Sequence, residues 1–215
     1  MSFLNQLKAE ATSLQRQRGE QHVEREQGMA ETQRACGMVL SYFEDLARNL
    51  NIIEPAAPSL SLDGKTPWPP MKLSSFRVDA RRKGLKGAEV IDTIAMGWDV
   101  VPQGGEPVNG SLSVNFPPEL ERVESRLALG PVKHDRKELR HPEKNTLLAI
   151  RFDYLTQTRG NVRVTADHDK AQLVFRLLNA RGFGIAHVTW AADKIDAPLL
   201  DELAKLVVSQ PTRFV

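Results

Sequence analysis

The sequence lacks a cysteine pair, because Cys36 is its only cysteine. A single thiol excludes an internal disulfide and any zinc module built on several cysteines. Its place in an apolar helical pattern predicts a small buried side chain rather than a reactive thiol. A phosphate-binding glycine loop and the glycine-flanked serine of a nucleophile elbow are also missing. We therefore expect a protein that is not an enzyme and that needs no cofactor.

Long apolar runs are missing as well. No stretch approaches the roughly 20 apolar residues of a membrane-spanning helix, and the start of the sequence lacks the apolar segment of a signal peptide. These observations predict a cytoplasmic protein with no membrane partner. The net charge is only +2, from 29 basic and 27 acidic residues, so no global field marks a nucleic-acid binder. Any basic surface has to be local.

The composition that is present is that of a globular protein. Hydrophobic residues make up 41% and charged residues 26% of the chain, and 215 residues are enough to bury a self-sufficient core. Changes in residue pattern divide the chain into three parts. These are an N-terminal helical segment over residues 1–50, a proline-rich linker or wrap over residues 51–70, and an α+β sheet domain over residues 71–215.

Residues 3–50 contain no proline and show a helical period in two places. A first apolar stripe lies on one side of a helix and consists of Phe3, Leu7, Ala11 and Leu14. A second and stronger stripe runs from residue 29 onward and consists of Cys36, Val39, Leu40, Phe43, Leu46, Ala47 and Leu50. Between the stripes, Val23 is the only sizeable apolar side chain. We expect that middle part to be solvated.

Two interpretations of residues 3–50 are open. One helix over this range would be about 70 Å long and would form an arm that pairs with another subunit. Alternatively, two helices fold back on their own domain. Because apolar side chains at both ends of this helical segment have to be buried, we expect a homo-oligomer in which another chain covers them. The predicted contact residues are Phe3, Leu7, Leu14, Val39 and Phe43.

The proline-rich stretch ends the helical region, because proline lacks the amide donor of a helix and disfavours helix in the residue before it. Trp68 lies between two prolines of this stretch. Its side chain either packs on the domain or is exposed to bind a partner, and packing is the more common arrangement of a single tryptophan.

From Met71 the apolar period changes to two, which predicts strands. Residues 76–101 predict a long hairpin, residues 110–116 a further strand, and residues 117–130 a short helix that is opened by prolines and closed by Gly130. Short connections in the last 70 residues favour an antiparallel meander. A final helix starts at an Asp196 cap and ends before Pro211. We predict an α+β fold with a mainly antiparallel sheet of about six or seven strands, covered by the C-terminal helix.

The stretch HDRKELRHPEK, residues 134–144, is the best lead to chemistry. On a helix His134, Glu138 and His141 would face one way, and three such ligands can hold a catalytic zinc ion. An E-x-x-H pair also occurs in di-iron proteins, but those proteins use two such motifs and only one is present here. Five basic side chains in and beside the stretch would oppose a dication. A solvated loop is the favoured alternative.

A second candidate site is a basic strand surface for a polyanion, made of Lys72, Arg77, Arg81, Arg82, Lys83 and Lys86. A strand places Arg77, Arg81 and Lys83 on one face, where they can contact phosphates. The competing interpretation is a wet sheet face paired with Glu89 and Asp92. It is favoured because no aromatic side chains are interleaved for stacking.

Three hypotheses of function follow. The preferred one is a non-enzymatic binding or assembly protein that associates with itself through the helical segment, and a different protein is a further possible partner. The first alternative is a nucleic-acid or polyanion binding module that uses residues 72–86. The second is a metal protein or enzyme that uses His134, Glu138 and His141.

Overall fold

The computed structural model describes residues 3–85 and 87–214 and confirms the α+β class. A long helix comes first, antiparallel strands follow, and a helix comes last, as predicted. The elements are α1 (Phe3–Ile53), β1 (Met71–Leu85), β2 (Ala88–Pro102), β3 (Asn109–Val114), α2 (Pro117–Leu129), β4 (His134–Arg140), β5 (Leu147–Leu155), β6 (Thr158–Asp167), β7 (Gln172–Leu178), β8 (Ile185–Ala191) and α3 (Ala197–Val207).

The strands form two sheets in which every neighbouring pair is antiparallel. The larger sheet has the order β1-β2-β6-β7-β8, and the smaller has the order β3-β5-β4. One face of the larger sheet, the inner face, belongs to the core that also contains residues of α1 and α3. The opposite face, called the outer face below, is mostly exposed and polar. This alternation explains the period of two in the sequence.

Strand β4 departs from the sequence analysis, which favoured a solvated loop for these residues and considered a helix. All seven of its residues are exposed, so neither face produces an apolar alternation. The strand exists because its backbone pairs with β5 along the edge of the smaller sheet. Its charged side chains suit an edge position, since charge on an edge strand opposes pairing with another chain.

Helix α1 is one unbroken helix of 51 residues rather than two. Its second half packs on the inner face through residues that are at most 6% exposed, namely Ala35, Cys36, Val39, Phe43, Ala47 and Leu50. Burial of this stripe, more than helix propensity, stabilises the segment. Within residues 3–85 and 87–214, no helix combines the length and apolarity needed to cross a lipid bilayer.

The two shorter helices begin as the sequence predicts. Helix α2 starts with proline in its first turn and buries Val123 and Leu127. Helix α3 is capped by Asp196, whose carboxylate accepts a hydrogen bond of 2.9 Å from the Leu199 backbone N–H. Its buried side chains are Leu200, Leu203, Leu206 and Val207, and they join the common core.

The segment between α1 and β1 is an ordered wrap. Its backbone is fixed by hydrogen bonds from Ala57 N–H to the Met71 carbonyl and from Trp68 N–H to the Leu60 carbonyl. The Trp68 side chain is 6% exposed, as expected for packing on the domain. Its ring stacks on Tyr154 of β5 at a centroid distance of 5.8 Å and meets Phe183 edge-on at 5.3 Å. The wrap therefore joins the smaller sheet to the β7–β8 turn.

A turn in the wrap depends on the Asp63 carboxylate. It accepts hydrogen bonds from the backbone N–H groups of Lys65 and Thr66 and from the hydroxyls of Ser61 and Thr66. Burial raises the pKa of Asp63, but these hydrogen bonds favour the charged form more strongly and lower the pKa from 3.8 to about 2.

This lowered pKa predicts an acid-sensitive contribution to stability. A carboxyl group with a lower pKa in the folded state stabilises the fold above its unfolded pKa of 3.8, and the stabilisation is lost as the pH falls towards about 2. We expect Asp63→Asn to reduce the free energy of unfolding at neutral pH by about 2 kcal/mol. We also expect it to flatten the pH dependence between about pH 5 and pH 2.

Denaturant unfolding of both proteins across this pH range measures the effect. Asp169→Asn is the matched control, because Asp169 is exposed and forms no hydrogen bond or ion pair within the described part of the chain. Parallel pH curves for Asp63→Asn and the wild type would contradict the assignment.

Candidate functional site

The first half of α1 extends beyond the domain. From Phe3 to Gln27, every residue whose side chain is described is exposed, and burial begins around Gly28. We call residues 3–27 the arm and residues 3–14 its tip. At 1.5 Å per residue, the arm is about 37 Å long. Gly28 marks the point where the helix reaches the domain, since a Cβ atom there would lie 3.2 Å from the Cβ atom of Ala171.

The tip exposes large apolar side chains. Phe3 is 73% exposed, Leu7 46% and Leu14 47%. At 3.6 residues per turn, 36 residues make ten full turns of a helix. Phe3 precedes Val39 by 36 residues. Leu7 and Leu14 precede Phe43 and Leu50 by the same number. The apolar stripe of the tip is therefore in line with the stripe that packs on the sheet, but in the arm nothing within the described chain covers it.

The middle of the arm is polar except for Val23. Two side-chain pairs one turn apart, Arg16 with Glu20 at 2.9 Å and His22 with Glu26 at 3.2 Å, link successive turns. Such exposed pairs add only about 0.3–0.5 kcal/mol each to a helix. These pairs therefore add little to the stability of the arm.

Two of the five predicted self-association residues are not at the surface. Val39 and Phe43 have no exposed area and belong to the core between α1 and the sheet. The same period of 3.6 describes both stripes, and only the position of the sheet separates the exposed residues from those that pack on their own domain. Phe3, Leu7 and Leu14 are the predicted contact residues that are exposed.

The structure separates the predicted metal ligands. In a strand, residues four apart such as His134 and Glu138 are about 13 Å apart, whereas ligands of one ion lie within a few ångströms of each other. The helical spacing behind the prediction does not apply, because these residues form β4. Across residues 3–85 and 87–214, no group of three His, Cys, Asp or Glu side chains is placed to hold a metal ion.

Each of these three side chains has a local role instead. The Nδ1 atom of His134 lies 2.8 Å from the Val132 carbonyl oxygen. The Glu138 carboxylate accepts a hydrogen bond of 2.7 Å from Arg140. The Nδ1 atom of His141 accepts hydrogen bonds from two backbone N–H groups of the turn that follows β4. These contacts stabilise an edge strand and its turn.

A cleft of about 520 Å³ lies beside His134. Its walls include Asp135 and Asp153, which are directly opposite each other on β4 and β5. Hydrogen bonds from Lys137 and Arg151 to the Asp153 carboxylate lower its pKa. The Asp153 charge is therefore satisfied by two neighbouring basic side chains, as in the ion pairs of an ordinary exposed sheet.

The predicted basic strand surface is largely neutralised. Every described member has an acidic partner within 4 Å: Lys72 with Glu54, Arg77 with Asp99, Arg81 with Asp79, Arg82 with Glu89, and Lys83 with Asp92. Lys86 lies outside the described residues. A register shift between Arg81 and Arg82 also interrupts the regular alternation that places Lys83 on the face of Arg77 and Arg81. The pairing with Glu89 and Asp92 is the one that the alternative interpretation expects.

Cys36 is buried, as its place in the apolar stripe predicts, with 1% of its surface exposed. Burial, together with the nearby Asp92 carboxylate, raises the pKa of the Cys36 thiol from 9.0 to about 11. The thiol is therefore neutral at physiological pH, which makes it a poor nucleophile and metal ligand.

A concentration of positive charge that the sequence analysis missed lies on the outer face. Arg163 of β6 is opposite Arg176 of β7, which in turn is opposite His187 of β8. In the sequence these residues are separated by 12 and 10 other residues, so no local window contains two of them. The signal in the sequence is that each of the three residues occupies a polar position in a strand where apolar and polar residues alternate. Only the register brings the three side chains into one row.

Comparisons of the chain with protein-family models, with curated proteins and with solved structures found no match. The function is therefore inferred from the chain's own geometry.

Proposed function

We propose that the protein is a non-enzymatic assembly protein that associates with a second copy of itself through the tip of the arm. The observation that carries this proposal is the exposed stripe of Phe3, Leu7 and Leu14 on a helix that extends beyond its own domain. Most of the stability of a helix in a protein comes from packing of its apolar face rather than from helix propensity. Burial of the stripe against another chain stabilises the arm and removes large apolar side chains from water.

The charges of the tip favour antiparallel pairing of two arms. Lys8 and Glu10 flank the centre of the stripe. If two tips overlap in antiparallel fashion about residue 9, Lys8 of each copy lies beside Glu10 of the other, and Leu7 lies opposite Ala11. A parallel overlap would instead bring Lys8 beside Lys8 and Glu10 beside Glu10, which is unfavourable. The apolar stripe provides the affinity and the charges set the direction.

The small size of the stripe predicts a weak dimer. Three large side chains per copy cover much less area than the roughly 800 Å² per partner of a standard stable interface. Association also costs several kcal/mol of translational and rotational freedom. We therefore expect a dimer that dissociates on dilution into the low micromolar range, as suits a component of a larger assembly.

The double variant Leu7→Glu with Leu14→Glu tests the proposal. It adds two charges to the stripe, so we expect the dimerisation constant to weaken by at least about 100-fold, because burial of an unpaired carboxylate costs several kcal/mol. Sedimentation equilibrium over a wide concentration range measures the effect. Circular dichroism of the same samples should show reduced helicity as dimer is lost.

Thr12→Glu with Ser13→Glu is the matched control. It adds the same charge within the same turns of α1, but at positions that face away from the stripe on a helix of 3.6 residues per turn. We expect its dimerisation constant to stay within about threefold of the wild type. Equal weakening by both variants would contradict a contact through the stripe, as would a wild-type protein that is monomeric at all concentrations.

A further inference from the structure

The outer face of the larger sheet carries an excess of positive charge. Five arginines lie on it, Arg77, Arg81, Arg159, Arg163 and Arg176, against three aspartates of the same face, Asp79, Asp99 and Asp167. Asp99 is shared, because its carboxylate contacts Arg159 at 3.2 Å and Arg77 at 3.5 Å. Asp79 lies 3.9 Å from Arg81, and both side chains are largely exposed. The exposed pair of Arg81 with Asp79 holds little energy and is easily exchanged for another anion.

Arg163 and Arg176 form the centre of this charge. They occupy directly opposite positions on adjacent strands, where Cβ atoms are about 5 Å apart and like charges destabilise the sheet. Within the part of the chain that the structure describes, neither guanidinium forms an ion pair or a hydrogen bond with a protein group. Other arginines of the surface are also unpaired, but these two face each other across a ladder. An anion between them would relieve the repulsion.

Neutral hydrogen-bonding groups surround the two arginines. His187 completes the row on β8, while Thr165 and Thr189 occupy the neighbouring row and are exposed. On the other side of Arg163, the half-buried Asn161 carries a side-chain NH2 group that can donate hydrogen bonds. Hydroxyl, amide and imidazole donors beside arginine are the groups that contact phosphate oxygens in nucleic-acid complexes.

The aromatic side chains of these strands lie on the inner face. Trp98 is 1% exposed, Phe175 has no exposed area, and Trp190 shares the inner face with Phe175. The described strands of the outer face therefore offer no Phe, Tyr or Trp ring on which a base can stack. It offers guanidinium groups in an open, flat array, which suits the repeated charges of a backbone rather than the edges of bases.

We infer that the outer face binds the phosphodiester backbone of a nucleic acid without sequence preference, and that Arg163 and Arg176 together hold its phosphates. Arg159 and Arg81 extend the contact in both directions along the strands. Binding of this kind is electrostatic and weakens steeply with added salt. The site is separate from the tip of the arm, so it goes beyond the proposed self-association.

Fluorescence anisotropy of a labelled oligonucleotide, as a single strand and as a duplex of mixed sequence, tests this inference. Arg163→Ala with Arg176→Ala should weaken binding by at least about tenfold and reduce the slope of log K against log salt by about 2, one for each lost phosphate contact. Arg122→Ala with Lys144→Ala removes the same charge from exposed positions outside the face. We expect this control to change the affinity by less than about threefold.

Thermal melting of each variant confirms that the fold is retained. Equal weakening of binding by the two double variants would overturn the inference, because the change in net charge alone would then explain the loss. Absence of binding at low salt would overturn it as well. The Leu7→Glu and Leu14→Glu double variant should still bind the oligonucleotide, so loss of self-association and loss of nucleic-acid binding are separate results.

Discussion

Replacement of Phe43 by alanine is expected to lower the free energy of unfolding by about 3–5 kcal/mol. Phe43 has no exposed area and lies in the stripe of α1 that packs on the inner face. Loss of its ring removes apolar burial and leaves a cavity between α1 and the sheet, which cannot collapse without moving either element. Phe43 is the largest of the described α1 side chains that have zero exposure.

Chemical denaturation monitored by tryptophan fluorescence measures this loss. Val23→Ala is the control, since Val23 belongs to the same helix but is 51% exposed in the arm. We expect it to change the free energy of unfolding by no more than about 0.5 kcal/mol. A loss below about 1 kcal/mol for Phe43→Ala would show that α1 does not share the core of the sheet.

Gly160→Ala is expected to destabilise the fold by about 3 kcal/mol, although it adds only one methyl group. A Cβ atom at Gly160 would lie 2.4 Å from the Cε2 and Nε1 atoms of Trp98, which is directly opposite on β2. The indole has little room to move, because Trp98 is 1% exposed and its ring stacks on Phe76 at a centroid distance of 5.7 Å. The glycine is required by close packing rather than by an unusual backbone angle.

Gly97→Ala provides the matched control for this substitution. Gly97 lies on β2 next to Trp98 in the sequence, and a Cβ atom there would meet nothing closer than the Gly160 carbonyl oxygen at 3.8 Å. We expect its effect on stability to be within about 0.5 kcal/mol. The two free energies of unfolding should therefore differ by more than about 2 kcal/mol. Similar losses for both would contradict the proposed clash with the indole.

Much of the fold was predictable because one face of most elements is buried. The inner face of the larger sheet imposes the period of two on β2, β6 and β7, and α1 and α3 show the helical period for the same reason. Local cap chemistry was predictable too, as Asp196 at the start of α3 shows. The apolar period and the helix cap depend only on residues that are close together in the sequence and on one buried side of each element.

Strand β4 and the middle of α1 were not predictable in this way. Both are solvated on all sides, so no apolar period marks them. The strand exists because its backbone hydrogen bonds are made with β5, which follows it in the chain. The middle of α1 is helical between two segments that carry apolar stripes. In each case the conformation depends on residues outside the segment.

For the candidate sites, the sequence was an even poorer predictor of which side chains lie together. His134, Glu138 and His141 are close in sequence and have the spacing of ligands on a helix, but the first two lie in an extended strand and His141 directly follows it. Arg163, Arg176 and His187 are far apart in sequence and lie in one row. Proximity in the sequence was thus a poor guide to proximity on the surface, because strand register rather than helical spacing decides which side chains meet.

The sequence by itself determined the α+β class, the positions of most strands and helices, the buried Cys36 and the apolar stripe of the tip. Each of these depends on short-range periodicity and on the cost of exposing apolar surface. Only the tertiary structure decided that α1 is continuous, that Val39 and Phe43 meet their own sheet, and that the basic charges of β1 are paired. The position of the unpaired arginines on the outer face was decided there as well. These features follow from strand register and from contacts between residues far apart in the chain, which no local pattern encodes.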